Sequence, residues 1–428
     1  MSYYHTKSRP SFPSGGLTSN DQKRHHRVID DEADDSLWRD VYWILGTPID
    51  LIDLNTVLGR IELAAARLTP FFLSTPNLNF LVQARSDPNF RESLLQSDLC
   101  PPDGTPIIWL GRLLGIPIKR RVAGSDILSA LKLRVKSENN LKLFLFGGAE
   151  GVAAAASRAF NASANGSRCV GWFYPGFCSV EELSGEDIIE TINSSGADFL
   201  VVSLGAKKGQ SWLVRNAEKL RIPIRAHLGA WINFEAGSVK RAPMIMRRLG
   251  LEWLWRIKEE PYLWRRYFYD GLVLLYLLCV RVLPLVVDRF IARDLAKARI
   301  SIDIVHDNDQ IKVNICGAAT QHNIKEIIQR CSIALSARKR VVIDLSDTST
   351  IDARFLGFVF MLIRNASRYG CNTRFVGLSR KVRRQFYLNG AEFLLQSQTG
   401  MLPHGGRYER SGGTIPEKKI LETIESVQ

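Results

Sequence analysis

LKLFLFGGAEGVAAAASRAF (141–160) and ADFLVVSLGAKKGQSWLVRNAEKL (197–220) share one plan: a short apolar run, a glycine-containing turn, then apolar residues at helical spacing. A continuous apolar run suits a strand buried on both faces, and a helix that returns the chain to the same end of the sheet makes successive strands parallel. FFLST (71–75) with NLNFLVQAR (77–85) on one side, and IPIRAHLG (222–229) on the other, extend the pattern outward. The chain from Trp38 to Phe234 therefore reads as a series of βα units forming a mostly parallel sheet.

At 428 residues the chain can build two or three cores, and 46% hydrophobic with 23% charged residues excludes fibrous, mainly disordered and polytopic membrane classes. A formal net charge of +14 points to an anionic partner: phosphate groups, acidic lipid or nucleic acid. The seven cysteines are scattered and contain no C-x-x-C pair, which supports neither a disulfide framework nor a structural zinc site. The opening MSYYHTKSRPSFPSGG has no apolar segment of the secretory kind, so the chain is expected to stay in a reducing, cytoplasmic setting.

Around this α/β core the composition shifts. Residues 1–36 mix Pro, Ser and Gly with KRHHR and DDEADD, and read as a disordered tail. The α/β domain is taken as 37–235. Residues 236–297 form a basic appendage: between Ala236 and Ile300 thirteen Lys and Arg face six acids. The same region holds the most apolar run, LVLLYLLCV (272–280), then Arg281, VL and Pro284. That interruption argues against a full membrane span of about 20 apolar residues and for an amphipathic helix lying on or partly in a membrane surface. Residues 298–396 read as a small α/β domain, with two strands around HDND (306–309), a helix, a strand at RVVIDLSD, a helix at FLGFVFMLIRNASRYG, a strand at TRFVGLS and a last helix. Residues 397–428 read as a flexible tail.

Several turns can carry chemistry. In STPNLN (74–79), Thr75 and Asn77 leave a strand and open a helix, either as pocket groups or as a helix cap with Pro76 in the first turn. Asp103-Gly104 in SDLCPPDG is either a tight turn or a carboxylate at a pocket mouth, able to take a proton from a sugar hydroxyl. KRRVAGSD (119–126) sets Arg121 before a helix start, suited to a diphosphate or simply to a solvated face. Gly147, Gly148 and Gly151 let backbone approach a nucleotide, although the spacing is neither a Walker loop nor G-x-G-x-x-G. SLGAKKGQSW (203–212) adds Gly205, Lys207, Lys208 and Gln210. Arg256 and Arg266 flank Pro261 and suit either a phosphate or lipid headgroups. No His or acidic cluster has metal-ligand spacing; Asp307 and Asp309 fall in a hairpin turn of the second domain.

Taken in order, STPNLNF, SDLCPPDG, RRVAGSD, LFGGAEGV, SLGAKKGQSW, HLGAWINFEAG, RAP and GLEWLWRIKEEPYLWRRY resemble the WecG/TagA/CpsF family of bacterial glycosyltransferases. The resemblance covers about Trp38 to Asp270 and implies a Rossmann-like domain. It also implies an inverting transferase that moves a sugar of N-acetylmannosamine, glucose or glucuronate type from a UDP donor. The acceptor it implies is a polyprenyl-diphosphate-linked saccharide, and the products are exopolysaccharide, capsule or related surface glycans. On that resemblance Asp103 is the general base, Thr75, Asn77, Arg121 and Gln210 are pocket groups, and Arg256 and Arg266 belong to an appendage that meets both membrane and substrate. Leu263 stands where related appendages often carry a further arginine. Gly147, Gly148, Gly151 and Gly205 are the nucleotide-binding candidates. No metal or cofactor is expected, the UDP-sugar being a substrate.

VVIDLSDTSTIDARFLGFVFMLIRNASRYGCNTRFVGLS (341–379) resembles a STAS domain, the module of anti-sigma-factor antagonists. Asp352 is followed by Ala353 and Arg354 rather than by a phosphorylatable residue, so a docking or regulatory role, with a protein partner, is expected rather than a phosphoswitch at that position. The expected site of action is the cytoplasmic face of the inner membrane, peripheral or monotopic. A non-catalytic scaffold binding nucleotide-sugar or lipid is the rival reading. No nucleic-acid partner is expected, since no such module is present and Leu and Val interleave the basic residues.

Overall fold

A computed structural model of the chain describes residues 37–134, 140–293 and 300–396. The tails expected at 1–36 and 397–428, and the boundary expected near 297, lie outside the described residues.

A two-stranded antiparallel hairpin, β1 (Val41–Ile44) and β2 (Thr47–Asp50), precedes the main sheet. The main sheet contains β3 (Phe71–Leu73), β4 (Lys142–Gly147), β5 (Arg168–Phe173), β6 (Phe199–Ser203) and β7 (Ile224–His227). Their spatial order is β3-β7-β6-β4-β5 with every pairing parallel. β6 and β7 are buried along their whole length, β6 through its apolar FLVV run and β7 with Arg225 donating to the carbonyls of Ile222, Ala217 and Leu220. Helices Leu54–Arg67, Gly124–Leu133, Val152–Ser163 and Gly229–Glu235 cover one face, and Glu186–Ser194 and Ala206–Arg215 cover the other. All five strands end at one edge, where Ser74, His227, Ser203 and Gly147 follow or close neighbouring strands.

The appendage wraps back over this domain. Helices Met244–Leu249 and Glu252–Glu259 lead to a continuous helical run from Pro261 to Ile291, about 46 Å long at 1.5 Å per residue. The run passes Pro284 without breaking. Pro284 lacks an N–H, and just before it the chain takes a wide π turn, Leu278–Val282, in which the N–H of Leu283 donates to the carbonyl of Leu278. By length and composition the run suffices to cross a membrane. Here, however, Val273, Leu277, Val282 and the polar Asp270 and Arg281 are buried in the protein. Trp264, Phe268, Leu272, Leu275, Cys279, Leu283 and Val287 are exposed along the opposite side at three- to four-residue spacing.

The second domain comprises β8 (Ser301–His306), β9 (Gln310–Ala319), β10 (Arg340–Asp344), β11 (Thr348–Ile351) and β12 (Thr373–Val376). Four strands run β11-β9-β10-β12 in parallel, and β8 lies antiparallel on β9. Helices Ile324–Ser336, Ala353–Arg368 and Arg380–Leu388 complete it. β11 is one strand more than the sequence pattern separated from the preceding turn.

The two domains share a core: the stretch 37–50, expected within the first domain, contributes side chains to both. Leu37, Val41, Trp43 and Leu95 pack with Phe358, Phe360 and Leu394 of the second domain, while Ile44 and Ile49 face the first. Trp43 donates its indole N–H to the carbonyl of Asn389 at 3.2 Å and tilts against Phe360 and Phe393. Arg354 donates to the carbonyls of Val41 and Arg39. Arg364 donates to the carbonyl of Ser97 and pairs with Asp98.

Candidate active site

The site is built at the edge where the strands end, the side on which open parallel sheets bind ligands. The segment after β3 supplies Thr75, which is buried, and Asn77, whose side-chain oxygen accepts the N–H of Phe80 at 3.1 Å. Asn77 is thus the N-cap of helix Leu78–Ser86. Two residues on, Asn79 donates to both carboxylate oxygens of Asp270, at 3.3 and 3.2 Å, which ties the appendage to this helix. Burial lifts Asp270 to about 6, against the opposing pull of Asn79 and Arg266.

Asp103 sits in a bend held by its own N–H to the carbonyl of Pro76, at 2.9 Å, and by the N–H of Val122 to the carbonyl of Pro102. Gly104 follows with φ +85, a conformation that favours glycine, and opens helix Thr105–Leu113. Burial raises the Asp103 carboxyl to about 7; Arg121 lowers it, nearby Glu252 and Asp126 raise it further, and the N–H of Gly124 favours the charged form. The result is a carboxyl group that titrates in the neutral range, suited to accepting a proton.

Arg121 faces Asp103 but is bonded to Glu252 of the appendage at 2.6 Å. Arg241 pairs with Asp126 and donates to Ser125 at 3.0 Å. Arg256 pairs with Glu260 and lies 5.6 Å from the ring of Phe234. Arg266 stacks at 5.0 Å on Tyr267 and acts on Asp270. Thr75, Asn77, Asp103 and Arg121 are thus gathered on one side of the site, and Glu252, Arg241 and Asp270 bring the appendage onto it. Glu252, Asp126 and Arg241 were not singled out from sequence, where an acid near a helix start and a basic residue before a proline are ordinary.

Gln210 is fully buried, with its amide N–H donating to Ser74 at 3.0 Å and its oxygen without a partner. Ser203 Oγ and His227 Nε2 are also buried and unpartnered. β3, β7 and β6 are adjacent, roughly 4.8 Å apart, and the register continues with Ser74 beside His227 and His227 beside Val202, so Ser203 lies one residue further along β6. The ring of His227 is boxed in: a Cβ on Gly209 would come within 2.2 Å of it and one on Gly229 within 3.2 Å. Burial holds His227 down to about 4, so it is neutral across the physiological range. Neither Ser203 nor His227 was singled out from sequence; their one signal was position at the end of an apolar strand.

Gly147, Gly148, Gly151 and Gly205 all have positive φ; Gly147 closes β4 and the others lie beyond β4 and β6. Gly147 is required by packing, since a Cβ there would sit 2.6 Å from the carbonyl oxygen of Ser203, whereas Gly151 and Gly205 face open space. Lys207 is paired with Asp87 at 2.9 Å and Lys208 donates to the carbonyl of Cys178, so neither points freely at the strand ends. Among the described residues no three His, Cys, Asp or Glu side chains converge as a metal site would require.

Comparison with known proteins agrees with this architecture. Residues 42–285, more than half of the chain, match the glycosyl transferase WecG/TagA/CpsF family, and residues 301–399 match the STAS domain. One relative, from Bacillus spizizenii, is 26% identical over 195 residues, covering 46% of this chain and 74% of that protein. Another, from Staphylococcus aureus, is 24% identical over 230 residues, covering 52% and 85%. Both are named N-acetylglucosaminyldiphosphoundecaprenol N-acetyl-beta-D-mannosaminyltransferase.

Proposed function

This chain belongs to the WecG/TagA/CpsF family of glycosyl transferases, and from that premise we propose that it moves a sugar from a UDP donor to a polyprenyl-diphosphate-linked saccharide, with inversion, in surface-glycan synthesis. The observation that carries the reading is Asp103: a carboxyl group raised to about 7, in a bend at the strand ends, facing Arg121. In one displacement the acceptor oxygen bonds to the anomeric carbon from the side opposite the donor's diphosphate. The bond to the diphosphate oxygen breaks with its electron pair, and the acceptor's proton passes to Asp103. Arg121, Arg256 and Arg266 receive the departing charge, with Glu252 and Glu260 as their resting partners. The unpartnered Gln210, His227 and Ser203 atoms offer hydrogen bonds to the donor.

The relatives' names place their acceptor on a polyprenyl chain. A helix that buries one face on the protein and exposes an apolar stripe suits a monotopic placement, on the cytoplasmic face of the inner membrane, where such an acceptor is held. The test is UDP release from a candidate donor with a lipid-diphosphate acceptor, compared between the native protein and Asp103→Asn. Turnover that collapses in the variant while its melting curve stays cooperative supports the reading. Tight UDP-sugar binding with no transfer to any acceptor would point instead to a non-catalytic scaffold.

A further inference from the structure

Away from the strand ends, a cavity of about 510 Å³ opens where three parts of the chain meet. Gly115 and Ile116, just beyond helix Thr105–Leu113, form one wall; Leu285, Arg289 and Phe290 of the long helix, with Arg293 just past its end, form the second; the second domain forms the third. The third wall is polar and ordered: Gln385 bonds Thr350 at 2.9 Å and accepts the N–H of Ile351 at 3.0 Å. The cavity's acid is already satisfied, since Asp352 accepts N–H groups from Gln321 at 2.8 Å and from Arg354 and Phe355 at 3.0 Å. Its buried cation is likewise engaged, with Arg354 bonded to Asp40 and to two backbone carbonyls.

Arg289 and Arg293 are different. Arg289 stands in the last turn of the helix and Arg293 two residues past its end, and neither makes a hydrogen bond or ion pair with any described residue. A Cβ on Gly115 would fall 1.9 Å from the Arg289 guanidinium carbon, so the guanidinium lies flat against bare backbone at the cavity wall. His322 adds a further nitrogen base. The apolar stripe ends at the same place: Phe290 lines the cavity yet is 76% exposed, and Val287 and Ile291 beside it are exposed too. Two uncompensated guanidinium groups over a polar wall favour a phosphate group, and an adjoining exposed apolar stripe favours one attached to acyl chains.

We propose that this cavity binds the phosphate headgroup of an acidic phospholipid, with the acyl chains lying along Val287 and Phe290. The site does not depend on the transferase chemistry, so it stands or falls separately from the assignment of Asp103.

The test uses the full chain and dihexanoyl phosphatidylglycerol below its critical micelle concentration, followed by calorimetry and by hydrogen exchange. Native protein is expected to bind it saturably, with slowed exchange at residues 112–116 and 350–354. Arg289→Gln with Arg293→Gln is expected to weaken binding at least about tenfold. Arg247→Gln with Arg248→Gln removes the same charge from an exposed helix outside the cavity and is expected to leave binding unchanged; melting curves show that both variants fold. Absence of saturable binding, equal losses in the two double variants, or protection appearing elsewhere would overturn the proposal. So would inorganic phosphate binding as tightly as the lipid and displacing it, which would assign the cavity to a free anion.

Discussion

Asp103 shows how one side chain's surroundings set its chemistry. Its carboxyl is raised to about 7 by burial, with Glu252 and Asp126 adding to the shift and Arg121 opposing it. A general base works only when deprotonated, so kcat/KM is expected to rise with pH through about 7 and level off above it. Asp103→Asn should remove that rise and lower kcat roughly 100- to 10,000-fold. The sign for stability is opposite. A carboxyl whose folded value exceeds its unfolded one binds more protons when folded, so its contribution weakens between about pH 4 and pH 7. Asp103→Asn should therefore lose less stability than the native protein as pH rises from 5 to 8, which thermal melts at both values would show. His227 is neutral across that range, held at about 4 by burial. His227→Phe should weaken donor binding roughly 3- to 10-fold, by an amount that does not change between pH 6 and 8. A loss that follows a titration near pH 6.5 would contradict that assignment.

Among elements, the hairpin and the long helix decide the most. Gly357 lies in helix Ala353–Arg368, and a Cβ there would fall 2.1 Å from the carbonyl oxygen of Val41. Backbone is on both sides, so Gly357→Ala must push the hairpin off the helix, at an expected cost of about 1–3 kcal/mol read from denaturant unfolding. The long helix is fixed to the second domain by Arg281, which donates to the carbonyl of Tyr387 and sits 3.9 Å over its ring, and by the pair Asp288 and Arg384. Its opposite face is free to meet lipid. Leu275→Glu with Leu283→Glu should leave melting unchanged and reduce retention on anionic vesicles at least about tenfold, measured by flotation. The sequence pattern showed the apolar run and its interruptions by Arg281 and Pro284. That the helix continues through them follows from a π turn and a half-buried stacking partner, Tyr387, both supplied by packing.

For the whole molecule, the shared core means that the second domain is not a detachable module. Truncation after residue 293 would uncover Leu37, Val41, Trp43 and Leu95, and should give a protein that aggregates and is cleaved quickly near residues 37–50. A monodisperse truncated protein with an unchanged melting temperature would show otherwise. The face of helix Ala353–Arg368 that meets the hairpin is occupied within the chain, so any docking partner of this domain has to use another surface.

The alternation of apolar runs with helical spacing was enough to establish two α/β units, because each strand and helix carries its own burial pattern in local order. The same holds for Asp103, Asn77 and Arg121, whose turns announce themselves through Asp-Gly, Asn and a basic run before a helix. The hairpin was not legible, since its turn is Leu45-Gly46, with Leu45 at φ 47 where Asn or Gly is usual. Nor were His227 and Ser203, since lacking a partner is a property of what surrounds an atom. Which carboxyl titrates near neutrality, which arginine is already paired and which cations are free depend on groups up to hundreds of residues apart. Electrostatics and hydrogen bonding act over a few ångströms of space, and only the tertiary structure determines which residues share them.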